Sequence, residues 1–343
     1  MKNLNFTLKS CVWEITLKCC FECKYCGSGG GKARPEELTT MECMDVIRQL
    51  AGLGCRRVSL IGGEVFLRPD WYDIVNSLIN HGIRVAIITN GYIFTASLID
   101  KIRTLGIESM AVSLDGPKDV HDRYRQNGSF DRADKAIDAL SEHDIRVSVI
   151  STLNHENAQR LEEFYEYLMT KNIKAWQIQA CSPMGNAVRS GVEYTFDFFK
   201  VIDFVDQHVM NAPFAIGLAD NIGYFTGSDE RIRGGAHGFI GCRAGLDTVG
   251  IDSVGCVRGC ESMYDDRFVE GDLRHSTLKE IWESPDSFTY NRKFNAEMLT
   301  GKCAQCTYGK YCGGGCRSYN YFTSGKLYES MYCARKDIKY DRG

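Results

Sequence analysis

The 343-residue sequence lacks an excess of either charge: 41 basic residues stand against 44 acidic ones, for a formal net charge of −3. That balance gives no electrostatic ground for binding nucleic acid or an anionic membrane, and neither is expected as a partner. Long apolar runs are missing as well. The opening MKNLNFTLKSCVWEITL is too polar for a signal peptide or a spanning helix, so a cytoplasmic protein is expected. There is no internal repeat, low-complexity tract or long charged run. The seven histidines show no paired ligand spacing, which leaves a histidine-based metal site without support.

Cysteine is what the chain has in abundance, with sixteen. A chain this large without an export signal is not a disulfide-stapled secreted module. Dense cysteine in a reducing compartment calls for metal or redox chemistry. Around the cysteines, the first two-thirds alternate strand-like and helix-like segments. Strands are expected at Cys11–Leu17, Arg57–Ile61, Arg84–Thr89, Ser109–Leu114, Arg146–Thr152 and Ala175–Ala180. Thr39 and Glu42 read as a capping box before a helix that carries Cys43, Ile47 and Leu50 on one face and stops at Gly52 and Gly54. A second run, Phe198, Ile202, Val205 and Val209, has the same spacing behind Thr195. Six strand–helix units imply a parallel sheet, either a partial barrel or an open doubly wound sheet. Beyond Met210 the periodicity fades and glycine becomes frequent (Gly227, Gly234, Gly235, Gly238, Gly241), so a domain boundary is expected between Asn211 and Gly241.

Cys19, Cys23 and Cys26 form a CxxxCxxC directly after the first strand. Three thiolates hold three irons of a four-iron cube and leave the fourth open to a non-protein ligand, whereas structural zinc takes four protein ligands. No second cysteine or histidine pair lies nearby, and Cys20 breaks the spacing. This motif resembles the signature of the radical S-adenosylmethionine (SAM) superfamily, and further segments follow in order. Gly62-Gly63-Glu64 ends strand two, Thr89-Asn90-Gly91 strand three and Ser113-Leu114-Asp115 strand four, all at the end of the strand where sites of parallel α/β barrels collect. The resemblance covers residues 10–210 and implies a partial (β/α)6 TIM-like barrel. It further implies that Tyr25 lies near the SAM adenine, that the Gly62-Gly63-Glu64 backbone meets the methionine amino group, and that Asn90, Ser113 and Asp115 serve the ribose side. Gln177 and Gln179 are weaker candidates for the same cavity.

The later cysteines read Cys242-x12-Gly255-x4-Cys260, then Cys303-x2-Cys306-x5-Cys312-x3-Cys316, then Cys333. This order resembles the SPASM extension of radical SAM enzymes, a small cysteine-rich α+β domain. Two short strands around Asp252-Ser253-Val254-Gly255 are expected to bring Cys242 and Cys260 together. The resemblance implies a core at residues 1–215 and a SPASM domain at 216–343. It also implies one [4Fe–4S] cluster with SAM and two auxiliary [4Fe–4S] clusters. The inner one would take Cys242, Cys260 and Cys316, and the outer one Cys303, Cys306, Cys312 and Cys333. The chain departs from members with an eighth cysteine just upstream of Cys242, which leaves the inner cluster an open iron or a ligand such as Cys256 or a non-cysteine group. Cys11, Cys43, Cys55 and Cys181 read as structural. In the resembling sulfatase-maturing enzymes an Asp matching Glu261 faces the substrate as a base, so Glu261 is the candidate catalytic residue.

The activity implied is reductive cleavage of SAM to a 5′-deoxyadenosyl radical that abstracts hydrogen from a peptide. The precursor peptide would thereby be crosslinked, cut or oxidised, with electrons from a flavodoxin- or ferredoxin-type reductant. With the first strand starting near residue 10, a leader peptide would be recognised by a separate small protein or by the barrel and SPASM surfaces. The alternatives are an anaerobic Cys/Ser maturase forming formylglycine, a small-molecule dehydrogenase, and, in another class, a non-catalytic zinc-stapled interaction protein.

Overall fold

The computed structural model describes residues 6–219, 222–224, 229–233 and 239–333; Gly227, Gly234, Gly235 and Gly238 lie outside them. Six strands fall where apolar alternation placed them: β1 (Ser10–Glu14), β2 (Arg57–Ile61), β3 (Arg84–Thr89), β4 (Ser109–Ser113), β5 (Val147–Leu153) and β6 (Ala175–Ala180). Each pairs in parallel with the next. The helices between them are α1 (Thr40–Gly52), α2 (Trp71–Asn80), α3 (Ala96–Arg103), α4 (Lys118–Tyr124), α5 (Ser129–Glu142) and α6 (Leu161–Leu168), followed by α7 (Asn186–Arg189) and α8 (Phe198–His208). None of the helices among the described residues is long and apolar enough to cross a membrane.

Period-two alternation decides what each strand shows to either side. Trp13, Leu60, Val112, Val149 and Trp176 are fully buried in the main core. Their neighbours in sequence, Val12, Ile61, Ser113, Ile150 and Gln177, line an interior cavity instead. The capping box of α1 forms as expected, Thr39 accepting from the Glu42 amide and Glu42 from the Thr39 amide. Helix α8 is capped by Asp197 rather than Thr195, because the Asp197 carboxylate accepts from Phe199 and Lys200.

The sheet extends beyond the expected six strands at both edges. β7 (Ala215–Leu218) joins β6 in parallel; AIGL is too short to declare a strand by alternation. On the other edge β8 (Thr248–Ile251) pairs in parallel with β1, and β9 (Cys256–Arg258) and β10 (Gly271–Asp272) continue antiparallel. The expected hairpin is therefore real, and it is also an edge of the same ten-stranded sheet, ordered β10-β9-β8-β1-β2-β3-β4-β5-β6-β7. The expected division at 215/216 falls at the start of β7.

Candidate active site

The loop after β1 is closed on itself before anything binds to it. The Cys19 amide donates to the Gly31 carbonyl (2.8 Å) and the Gly31 amide to that of Leu17 (3.0 Å), so Cys19, Cys23 and Cys26 sit inside one strap. Two amides point at sulfur: Phe21 N–H at Cys19 Sγ (3.4 Å) and Gly30 N–H at Cys26 Sγ (3.2 Å). Burial meanwhile pushes the free Cys23 thiol up to about 12, with the Arg125 charge working against it, so a metal must displace its proton on binding.

Two segments clasp the strap from outside. Gly63 and Glu64 donate their amides to the Thr16 and Lys18 carbonyls (2.8 and 2.7 Å). A Cβ at Gly62 would collide with the Thr16 carbonyl, and one at Gly63 with the carbonyls of Leu17 and Lys18. The paired glycines are thus required by backbone contact with the cysteine strap. From the loop after β6, the Asn186 amide donates to the Cys26 carbonyl and its side chain to that of Cys23, both at 2.9 Å.

Tyr25, Gly62, Gly63, Asn90, Ser113 and Gln179 line one cavity of about 480 Å³ together with the three cysteines. Glu64 and Asp115 stand behind its wall. Glu64 is fully buried and accepts from Thr89 Oγ1 and the Asn90 amide (both 2.9 Å); burial raises its carboxyl to about 7 despite these bonds. Asp115 accepts from the Tyr25 hydroxyl, from the Thr152 amide (3.0 Å) and from the Arg125 guanidinium (3.2 Å). Burial would raise the Asp115 carboxyl, but the Arg125 charge and bonds with His121 and Arg125 outweigh it and hold the group well below the usual range. Arg125, ten residues past Asp115, also stands 5.5 Å from the Tyr25 ring and lines the cavity. No spacing in the sequence pointed to it.

The C-terminal region roofs the same cavity with Cys260, Glu261, Tyr264, Cys316 and Tyr319. Cys242 and Cys260 share an apolar cluster with Met263 and Phe268. Cys303, Cys306 and Cys312 lie within electrostatic reach of one another, and Cys333 packs beside Cys312, Tyr224 and Phe239. Cys256 sits on β9 opposite Asp272, and Cys181 packs with Tyr25; neither shares an apolar cluster with Cys242 and Cys260. Glu261 is 3% exposed. Burial, then the nearby Glu14 charge, raise its carboxyl well above the ordinary value. A Cβ on Gly250 of β8 would collide with the Cys260–Glu261 backbone, so that glycine sets where Glu261 stands.

Glu14, buried at the end of β1, is the node of the seam. It receives the Arg34 guanidinium from the strap region, the Ser253 amide (3.3 Å) from the hairpin and the Tyr264 hydroxyl from the roof. A lone acid in an apolar strand was the available signal for it. Tyr264, Tyr319 and Asn186 gave none.

The donor set fits iron–sulfur clusters. Among the described residues no three His, Cys, Asp or Glu side chains converge as ligands of a single metal ion do. The cysteines of a cube each bind a separate iron and need not converge. Five of them line one cavity, and backbone N–H groups already face two of their sulfurs.

Fold and site define an iron–sulfur enzyme of the parallel-barrel type. Residues 13–168 match the family model of the Radical SAM superfamily and residues 242–307 that of the SPASM iron–sulfur cluster-binding domain. The chain belongs to the radical SAM superfamily and carries a C-terminal SPASM domain. It is 28% identical to the AdoMet-dependent heme synthase of Methanosarcina barkeri, covering 94% of this chain and 95% of that one. It is 29% identical to the mycofactocin maturase MftC of Mycolicibacterium smegmatis, covering 91% and 79%. Among solved structures, SuiB of Streptococcus suis bound to S-adenosylmethionine superposes with a TM-score of 0.76 at 16% identity, over 96% of this chain and 78% of that one. SuiB bound to its precursor peptide SuiA gives 0.74 at 17%, over 96% and 77%. With both family models matched in order, the zinc-stapled alternative is set aside.

Proposed function

We propose that the chain modifies a ribosomally made peptide. The observation that carries this reading is the shared cavity: the cysteine strap forms one wall and Cys260, Glu261 and Cys316 form another, with the reacting space between them. Cys19, Cys23 and Cys26 would hold the SAM cluster. Cys242, Cys260 and Cys316 would hold an inner auxiliary cluster, and Cys303, Cys306, Cys312 and Cys333 an outer one. Bound SAM and its cluster supply a radical able to take hydrogen from an unactivated C–H bond. The protein's own share is positional. Tyr25, fixed by Asp115, gives a flat apolar wall; the glycine pair keeps its own segment tight against the cysteine strap; Thr152, Gln177 and Gln179 form a polar floor, with Gln179 donating to Thr152 (3.0 Å). A low-potential flavodoxin- or ferredoxin-type reductant would supply electrons, and a leader would be recognised either by a separate small protein or by the barrel and SPASM surfaces.

The heme synthase relative, matched over almost its whole length, supports a second reading in which the substrate is a tetrapyrrole. The lining speaks for the peptide. Among the described lining residues Arg125 is the lone cation, and Asp115 neutralises it, so substrate carboxylates find no free counter-charge. The deciding experiment incubates reconstituted enzyme anaerobically with SAM, dithionite and candidate precursor peptides or a tetrapyrrole, reading 5′-deoxyadenosine and substrate mass together. A peptide mass change that depends on SAM is expected. An unchanged peptide beside a tetrapyrrole that loses mass would transfer the function to the second reading.

A further inference from the structure

Most polar groups facing the cavity are already paired. Gln177 donates to Gln179 (3.4 Å), Gln179 to Thr152, and Ser318 to the Ser262 carbonyl (2.6 Å). The single proton of the Tyr264 hydroxyl goes to Glu14. Two side chains in the roof differ. Both carboxyl oxygens of Glu261 and the hydroxyl of Tyr319 are buried without a hydrogen-bond partner among the described residues. Glu261 is 3% and Tyr319 2% exposed, so water does not readily serve them, and both line the cavity. Buried polar groups are as a rule satisfied, and unmet ones at a cavity wall point to a ligand that completes them.

We infer that Glu261 and Tyr319 together seat a backbone amide of the substrate. This deepens the peptide reading and rests on it. In either protonation state Glu261 keeps an oxygen able to accept the amide N–H, and Tyr319 O–H donates to the amide carbonyl. The chemistry of the pair excludes the simpler occupants. A carboxylate would satisfy Tyr319 but bring a charge into a lining whose one cation among the described residues, Arg125, is already held by Asp115, with Glu14 close behind Glu261. An ammonium would satisfy Glu261 and leave the Tyr319 proton unmet. An uncharged amide offers one donor and one acceptor, which is what the roof lacks.

The test uses anaerobically reconstituted holoenzyme and a small probe, N-acetyl-alanine N-methylamide, whose binding is read by ligand-observed NMR relaxation. Its diester analogue, methyl 2-acetoxypropanoate, which lacks both amide N–H groups, serves as comparison. The diamide is expected to bind more tightly than the ester. Tyr319→Phe and Glu261→Leu are each expected to weaken the diamide about tenfold, a loss the size of one buried hydrogen bond. Glu261→Gln, which keeps an accepting oxygen, is expected to restore binding. Tyr319→Phe removes one oxygen without changing shape, so it and the diamide–ester comparison on the unaltered protein decide the matter even if Glu261→Leu fails to take up iron. Equal binding of diamide and ester, or diamide binding indifferent to Tyr319→Phe, overturns the seat. If a peptide is modified and the probe ignores both positions, the seat alone fails. If the probe behaves as expected and no peptide is modified, the peptide reading alone fails.

Discussion

The cysteine strap and the C-terminal roof face each other across one cavity and are finished to different degrees. In the strap, amides already point at sulfur, and glycines and Asn186 pin its backbone from two sides. In the roof, Glu261 and Tyr319 stand buried without a hydrogen-bond partner among the described residues. A wall that holds a resident cofactor and receives the same cosubstrate at every turnover, as proposed for the strap, gains from being rigid beforehand. A wall that must tell substrates apart gains from groups that only the right substrate satisfies, because the wrong one leaves them unmet.

The largest way to break the contrast is to loosen the strap. Gly63→Ala, whose Cβ would strike the Leu17 and Lys18 carbonyls, is expected to abolish stable uptake of the SAM cluster. Iron and sulfide analysis with electron paramagnetic resonance of the reduced protein checks this. Gly52→Ala, with nothing within 4 Å of the added carbon, is expected to leave uptake unchanged.

Next in size is the wall behind Tyr25. Asp115→Asn leaves the Arg125 guanidinium buried without its counter-charge, and a loss of about 3 kcal/mol is expected in anaerobic urea unfolding. The depressed Asp115 carboxyl contributes stability that is present above its ordinary value of 3.8 and is lost as pH falls. That acid-side loss is expected to shrink in the variant.

Glu64, a second buried acid beside the same cavity, has the opposite sign because no cation faces it. Its carboxyl is raised from 4.5 to about 7, so its contribution is present below 4.5 and lost as pH rises through about 7. The shift corresponds to at most about 3 kcal/mol. Glu64→Gln is expected to flatten the melting temperature between those limits, and the unaltered protein to fall. A slope that survives the substitution would assign the titration elsewhere.

How much of this was legible in the sequence follows from how local each signal is. β2, β3 and β6 were readable to their bounds, because each is a short apolar-rich run set between charged or turn-forming neighbours. β1 ends at Glu14 rather than at Leu17, since the Thr16 and Lys18 carbonyls leave the ladder to receive Gly63 and Glu64. The cysteines were readable because a cube fixes their spacing along a short loop. Arg125, Tyr264 and Tyr319 were not, because the fold alone brings them to the cavity, and Asn186 was not, because the fold alone brings it to the strap. Glu64 and Asp115 were expected to bind the cofactor; their side chains bond to Thr89, Asn90 and Tyr25 behind the wall and do not line the cavity.

The central claim is that three thiolates on the strap hold the cluster that opens SAM. Its most direct measurement is 5′-deoxyadenosine formation by anaerobic, reconstituted protein in which Cys19, Cys23 and Cys26 are all replaced by alanine. Complete loss of SAM cleavage is expected, with iron still bound by the C-terminal cysteines. Cleavage at the original rate would contradict the account.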